Sequence, residues 1–159
     1  MKKKTVITNS AEETKAFGAS LVKNLQGVNV IALHGELGSG KTTFAQGMAA
    51  ALGIKRRIIS PTFIIVRSYI VKSDKPARNT SVAGGQKVKS KNLFHVDLYR
   101  IQSESELEGL GIMEIVEDQE NLVVIEWADK MGELLPEKRI DIRFEYIDEE
   151  KRKISITDC

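Results

Sequence analysis

Residues 35–42 have the types and the spacing needed to bind phosphate. They read GELGSGKT and fit the pattern G-x-x-x-x-G-K-[ST]. Glycines allow positive φ angles, so that successive backbone N–H groups turn inward and form a nest for an anion. Lys41 would place its charge between the β- and γ-phosphates of a nucleotide, and the hydroxyl of Thr42 is a hard oxygen ligand for Mg²⁺. The segment therefore predicts a nucleotide site.

The flanking sequence supplies the elements that this motif requires. Residues 28–33 are mostly apolar, which is typical of a strand buried on both faces of a parallel sheet. Residues 42–52 are good helix formers and end at Gly53. A helix that starts here adds the positive end of its dipole to the phosphate site. This context favours a phosphate site over a glycine-rich turn with an incidental lysine and threonine.

Two carboxylates are candidates for the chemistry that follows phosphate binding. A P-loop NTPase also needs an acidic group at the end of a neighbouring buried strand. Glu126 follows four apolar residues at 122–125, where a carboxylate is costly to bury unless it is paired. We interpret Glu126 as a metal-site residue. Asp97, in the alternating segment 93–101, is the second functional candidate, and its alternative role is a structural salt bridge with Arg100.

Four further residues have less specific signals. Thr62 follows a Ser-Pro pair, where a switch-type hydroxyl or an ordinary turn residue would sit. Trp127 is either a core aromatic residue or a lid against the nucleotide or a partner. His34 and His95 are interpreted as packed strand residues rather than catalytic bases.

The remaining pattern predicts a three-layer α/β domain. A central, mainly parallel sheet is flanked by peripheral antiparallel strands, which is the P-loop NTPase fold. A helix follows a cap at Asn9 or Ser10, and an acidic helix is expected at 103–116 with interruptions at Gly109 and Gly111. Other predicted elements are strands at 5–8, 140–147 and 153–157, an antiparallel pair at 63–71 and 93–101, and a short helix at 128–135.

Length and composition limit the class of protein. The 159 residues suit one domain, 1–159, and 42% hydrophobic with 29% charged residues exclude wholesale disorder. The chain has no apolar run of about 18 residues, so a membrane-spanning helix is not expected. Its basic start passes quickly into polar sequence, unlike a signal peptide. The only cysteine, Cys159, cannot form an internal disulfide, so we expect a reducing cytoplasm.

Charge is segregated along the chain. Residues 72–91 hold six basic residues against Asp74 alone, for a net charge of +5 within a total of +2. Residues 103–120 carry seven acidic residues and no basic one. With hardly an apolar anchor, residues 73–92 are predicted to be a flexible, lysine-rich insertion. We interpret it as a dispensable, solvated elaboration, with contact to tRNA as the alternative.

Four sequence blocks occur in an order that resembles a known family. They are residues 35–44, 60–63 (SPTF), 95–100 (HVDLYR) and 124–127 (VIEW). Together they resemble the bacterial TsaE family, small ATPases of tRNA threonylcarbamoyladenosine biosynthesis, nearly end to end. The resemblance implies ATP and Mg²⁺ as cofactors and TsaD and TsaB homologues as partners, with tRNA met indirectly through their complex. In that system ATP hydrolysis by TsaE resets the transferase between turnovers.

The resemblance also implies roles for individual residues. Thr42 and Glu126 would hold Mg²⁺, and Asp97 would assist hydrolysis with Lys41 and Glu126. Thr62 would lie in a switch segment, and Trp127 near the nucleotide or a partner. Nucleotide contacts are implied for Ser10 and Lys151, near adenine, and for Gly35, Gly38, Ser39, Gly40, Lys41, Thr42 and Thr43. The family usually joins the strands around Thr62 and Asp97 by a short turn, where this chain has its insertion.

Three rival functions remain open at this point. A small-molecule kinase of this type needs an arginine-bearing lid, but the lysine-rich segment has only Arg78. A GTP-dependent switch would use the D-x-x-G match at 129–132, yet Glu126 already occupies the strand end, and the guanine motif N-K-x-D is absent. An RNA-binding module would use the basic tract 72–91. Because no arginine is obvious beside the phosphates, slow hydrolysis by the isolated chain is expected.

Overall fold

Strands and helices mostly alternate along the chain, as in other three-layer α/β proteins. The fold is that of a computed structural model, which describes residues 3–61, 63–71 and 91–158. Its strands are β1 (Lys3–Thr8), β2 (Val30–His34), β3 (Val66–Ile70), β4 (Asn92–Asp97), β5 (Asn121–Glu126), β6 (Ile140–Tyr146) and β7 (Arg152–Asp158). Its helices are α1 (Ala11–Val22), α2 (Lys41–Ala51), α3 (Glu104–Glu108), α4 (Ile112–Glu117) and a 3₁₀ helix at Ala128–Leu134.

The strands form one mixed sheet in the order β1-β7-β6-β2-β5-β4-β3. The four central strands, β6, β2, β5 and β4, are parallel to their neighbours in this group. The outer strands are antiparallel: β3 pairs with β4, β7 with β6, and β1 with β7. The predicted fold class is confirmed, with a mainly parallel centre and antiparallel strands at both edges.

The core lies on both faces of the sheet. Ile31 and Leu33 of β2 pack with α1 and α2, where Phe44 and Met48 are fully buried. The residues between them, such as Ala32, belong to a second cluster formed with α3, α4 and the 3₁₀ helix. Because β2 is covered on both sides, it carries a continuous apolar run instead of an alternating one. None of the helices in the described ranges is long and apolar enough to cross a membrane.

Two predicted strands are longer in the sequence pattern than in the structure. The strand expected at 63–71 begins only at Val66, because Ile65 has a φ of 62° and its N–H donates to the Pro61 carbonyl. The strand expected at 93–101 ends at Asp97, whose carboxylate accepts a hydrogen bond from the Tyr99 N–H. The sequence pattern expected of a strand continues past both strand ends, whereas the backbone turns there.

Other boundaries also differ in detail. The acidic segment expected at 103–116 is interrupted as predicted: it forms two short helices, α3 and α4, separated where Gly111 has a φ of 64°. The helix expected at 128–135 is a 3₁₀ helix that is kinked at Gly132. Asn92, assigned to the lysine-rich insertion, instead opens β4. Residues 73–90 of that insertion lie outside the described residues.

The close crossing of α1 and α2 sets a limit on side-chain size, and this yields a stability prediction. A Cβ at Gly47 would collide with the Lys15 carbonyl of α1. We therefore expect Gly47→Ala to lower the free energy of unfolding by about 1–3 kcal/mol, because overpacking forces the helices apart. Urea unfolding followed by circular dichroism measures this change.

Gly109→Ala is the matched control for this prediction. Its new Cβ would meet only the Glu106 carbonyl oxygen, at 3.9 Å, and Gly109 has an ordinary φ of −72°. It should change the free energy of unfolding by no more than about 0.5 kcal/mol. Equal stability of Gly47→Ala and the wild type would show that α1 and α2 do not pack this closely.

Candidate nucleotide-binding site

The loop between β2 and α2 has the backbone of an anion nest. Gly35, Gly38 and Gly40 have φ angles of 138°, 74° and 102°. These angles favour glycine, and at Gly35 a Cβ would also lie 2.6 Å from the Phe144 carbonyl oxygen. The loop leads directly into α2 at Lys41, so the first N–H groups of that helix face the same concavity.

A pocket of about 280 Å³ opens over this loop. It brings together most of the residues to which the sequence assigned nucleotide, metal or catalytic roles. Gly35 lies behind the loop against Phe144 instead of lining the pocket. The pocket is lined by Leu37, Gly38, Ser39, Gly40, Lys41, Thr42, Thr43, Ser60, Asp97, Tyr99, Glu126, Trp127 and Arg152.

Lys41 is held by the loop itself. Its Nζ donates to the carbonyl oxygens of Gly35 and Glu36, at 2.6 and 2.8 Å, and lies 4.4 Å from the centre of the Trp127 ring. Burial lowers the pKa of Lys41, and the nearby Glu126 carboxylate partly opposes this shift. The ammonium therefore sits at the pocket with partners that phosphate oxygens are able to replace.

Glu126 ends β5 at the floor of the pocket and is only 3% exposed. The Thr42 hydroxyl donates to both of its carboxylate oxygens, at 2.9 and 3.1 Å. His95 Nε2 lies 2.7 Å from Glu126 Oε1. These bonds offset the cost of burying the carboxylate. His95, interpreted from sequence as a packed strand residue, thus contacts a candidate site residue directly.

The donor set at this floor fits Mg²⁺. A hydroxyl and a carboxylate are hard oxygen ligands, and Mg²⁺ at phosphate sites uses one or two carboxylates together with phosphates and water. In the described part of the chain, no group of three or more His, Cys, Asp or Glu side chains converges on one point. Thr42 and Glu126 thus offer oxygen donors of the kind that Mg²⁺ uses at phosphate sites.

Asp97 lies beside Glu126 on the neighbouring parallel strand, as its register partner. It is 2% exposed, and its carboxylate accepts hydrogen bonds from the Ser60 hydroxyl and the Tyr99 N–H. Arg100, its suggested salt-bridge partner, instead lies over the ring of Phe63, 4.3 Å from its centre. The two carboxylates thus share one edge of the sheet. Thr62 lies outside the described residues.

Trp127 forms a wall of the pocket. It has a φ of 59°, is half-buried against the second core cluster, and its ring centre lies 5.2 Å from that of Tyr99. This packing agrees with the interpretation as a core aromatic residue, and the role as a lid stays a prediction. Asp129, the first residue of the D-x-x-G match, accepts a hydrogen bond from His34 at the end of β2.

Ser10 and Lys151 do not line this pocket. Ser10 caps α1, where its hydroxyl accepts the Glu13 N–H at 3.1 Å. Lys151 is exposed in the turn between β6 and β7, where its Nζ lies 3.6 Å from Asp148 Oδ2. Their assignment to adenine stays a prediction.

Arg152 is the site residue that sequence reasoning missed. Its Nη2 donates to the Gly38 carbonyl at 3.3 Å, its stem packs over Gly40, and its Nε is buried without a partner among the described residues. The sequence shows no obvious arginine beside the phosphates, whereas the structure places Arg152 next to the loop that would bind them. In the sequence Arg152 is one charge in a polar turn, and only the pairing of β6 with β2 brings that turn to the loop.

Comparisons with known proteins show which family this chain is similar to. The family model described as threonylcarbamoyl adenosine biosynthesis protein TsaE matches residues 8–154. The tRNA threonylcarbamoyladenosine biosynthesis protein TsaE of Bacillus subtilis is 35% identical over 150 residues, which cover 94% of this chain and 82% of that protein. The protein of the same name from Rickettsia bellii is 34% identical over 152 residues, with 95% and 92% coverage.

A solved structure gives the same result. The crystal structure of YdiB from Bacillus subtilis matches with a TM-score of 0.69 and 29% sequence identity, and the match covers 99% of this chain and 86% of that one. The resemblance carried by the four sequence blocks is thereby confirmed over nearly the whole length. The chain belongs to the TsaE family.

Proposed function

We propose that this protein is a Mg²⁺-dependent ATPase that supports threonylcarbamoyladenosine formation on tRNA together with TsaD and TsaB homologues. One observation carries the proposal. The hydroxyl of Thr42 and the carboxylate of Glu126 face each other at the floor of a glycine-loop pocket. The names of the relatives, which are tRNA threonylcarbamoyladenosine biosynthesis proteins, support the biological process.

The loop amides and four side chains of the pocket have roles in this proposal. The loop amides bind the phosphates, and Lys41 exchanges its loop carbonyls for phosphate oxygens. Thr42 and Glu126 hold Mg²⁺, which when bound offsets the charge of the phosphate oxygens. Asp97, one strand away from Glu126, accepts hydrogen bonds and orients the attacking water. These roles concern positioning and electrostatics, which dominate phosphoryl transfer.

The experiment that tests the function is ATP hydrolysis with and without a reconstituted TsaD–TsaB pair. We expect slow hydrolysis by the isolated chain and faster hydrolysis with the pair, because a group supplied by a partner contributes as much as about 10³–10⁵ in rate. Hydrolysis faster than about 1 s⁻¹ by the isolated chain would contradict the first expectation. Turnover that depends on a small phosphoryl acceptor would favour a kinase.

The RNA-binding alternative has its own outcome in the same assay. If deletion of residues 75–90 abolishes function while Lys41→Ala leaves it intact, the basic tract carries the activity. Binding to RNA through that tract should weaken steeply as salt is raised. Competition between ATP and GTP for the pocket distinguishes the proposed ATPase from a guanine-nucleotide switch.

Arg152 gives a further prediction for this function. Arg152→Gln should weaken binding of a non-hydrolysable ATP mimic by about fivefold or more, because a hydrogen bond to a charged group contributes about 1.5–3 kcal/mol and this group is partly screened. Calorimetry measures the loss. Lys153→Gln is the matched control, since Lys153 is the next residue and pairs with Glu145 outside this pocket. Equal affinities of the two variants would remove Arg152 from nucleotide binding.

A further inference from the structure

His95 is buried directly beside the proposed metal ligand. It lies in β4, in register with Val124 of β5, and is 1% exposed. Its Nε2 is 2.7 Å from Glu126 Oε1, whereas the ring does not line the nucleotide pocket. The proposed function assigns no role to this ring, although it makes one of the shortest polar contacts at the pocket floor.

The hydrogen-bond pattern defines which ring nitrogen carries the proton. A carboxylate oxygen only accepts, so Nε2 is the donor to Glu126. The other nitrogen, Nδ1, is buried and has no hydrogen-bond partner within the described ranges. The ring therefore presents its donor to the carboxylate and nothing to solvent.

Glu126 accepts hydrogen bonds from Thr42 and from His95, and of these two residues only Thr42 lines the pocket. Thr42 lines the pocket and is itself a proposed metal ligand, so its hydroxyl is engaged when the nucleotide binds. His95 lies behind the carboxylate and touches no pocket space. A ligand in the pocket therefore does not meet the ring directly. Buried groups that orient metal ligands in this way commonly affect metal affinity by about 10–100-fold.

We propose that His95 is a positioning residue that fixes the Glu126 carboxylate for Mg²⁺. This inference rests on the proposed function of the pocket. His95 holds Oε1 from the sheet side, so that the carboxylate keeps one orientation toward Thr42 and the phosphates. The ring itself contacts neither nucleotide nor metal.

Two amide variants separate this role from simple packing. His95→Gln places an N–H₂ donor at about the position of Nε2, whereas His95→Asn places it near Nδ1, too short to reach Glu126. Both variants are polar and smaller than or similar to histidine, so a loss of packing affects them together. Each variant is titrated with a non-hydrolysable ATP mimic, with and without Mg²⁺, and its free energy of unfolding is measured in urea.

For His95→Asn we expect the Mg²⁺ concentration needed for half-maximal nucleotide binding to rise about tenfold. Binding of the mimic without Mg²⁺ should stay close to wild type in both variants. His95→Gln should restore most of the Mg²⁺ response. If Asn and Gln shift the Mg²⁺ response equally, or leave it unchanged, while the wild type responds to Mg²⁺, the positioning role is refuted and the proposed ATPase stands. If the wild type itself shows no Mg²⁺ response, the metal site and this inference both fall.

Discussion

Lys41→Ala is expected to abolish ATP turnover and to weaken nucleotide binding by at least about tenfold. The ammonium lies at the mouth of the glycine loop, bound to the Gly35 and Glu36 carbonyls, and is 4% exposed. Phosphate oxygens in both the ground state and the transition state would use this charge, so its removal affects binding and hydrolysis together. Calorimetry with an ATP mimic and a phosphate-release assay measure the two effects.

Lys91→Ala is the matched control. Lys91 is an exposed lysine, 68% accessible, that pairs with Glu120 away from the pocket. It should bind and hydrolyse ATP as the wild type does. Stability is also compared, because Lys41→Ala removes a buried charge and leaves the loop carbonyls without their donor. A Lys41→Ala protein that is folded and hydrolyses ATP at the wild-type rate would place the phosphates elsewhere.

Glu126→Gln is expected to keep most of the nucleotide affinity and to lose about 100-fold or more of the hydrolysis rate. The amide has nearly the shape of the carboxylate, and its oxygen still accepts the hydrogen bonds of Thr42 and His95. It lacks the negative charge by which a carboxylate ligand attracts Mg²⁺ more strongly than a neutral amide does. Binding depends mainly on the loop amides and Lys41, whereas hydrolysis depends on the metal held in place.

The control for this variant is Glu120→Gln. Glu120 lies next to the opposite end of β5, is 59% exposed and pairs with Lys91. It should leave both affinity and hydrolysis unchanged. Single-turnover hydrolysis, with protein in excess over ATP and with saturating Mg²⁺, is the measurement. Turnover by Glu126→Gln equal to that of the wild type would exclude Glu126 from the metal site, even if Lys41→Ala behaves as expected.

The sequence alone identified those parts of the site that are local along the chain. The loop at 35–42, the apolar strand before it and the helix after it follow each other directly, so motif and context reinforce one another. Glu126 was also predicted, because it directly follows an apolar strand. Asp97 was named as a candidate too, although the sequence placed it within a strand and the structure places it at the strand end, beside Glu126.

Contacts between residues on different strands could not be predicted from the sequence. The hydrogen bond from His95 to Glu126 depends on the register of β4 against β5, and that register has no local signal. Arg152 reaches Gly38 only because β6 pairs with β2 and β7 pairs with β6. The predicted strands extended beyond Val66 and Asp97 for a related reason. The sequence pattern reports the types of the side chains and not the point at which the backbone turns.

The position of Trp127 has a practical consequence. It is the only tryptophan in the chain, and the ammonium of Lys41 lies 4.4 Å from the centre of its ring. A cation over an indole perturbs the ring's electrons, so phosphates that draw the ammonium away would alter the ultraviolet emission of the protein. The molecule thus contains its own optical probe of pocket occupancy, and no dye or label has to be attached.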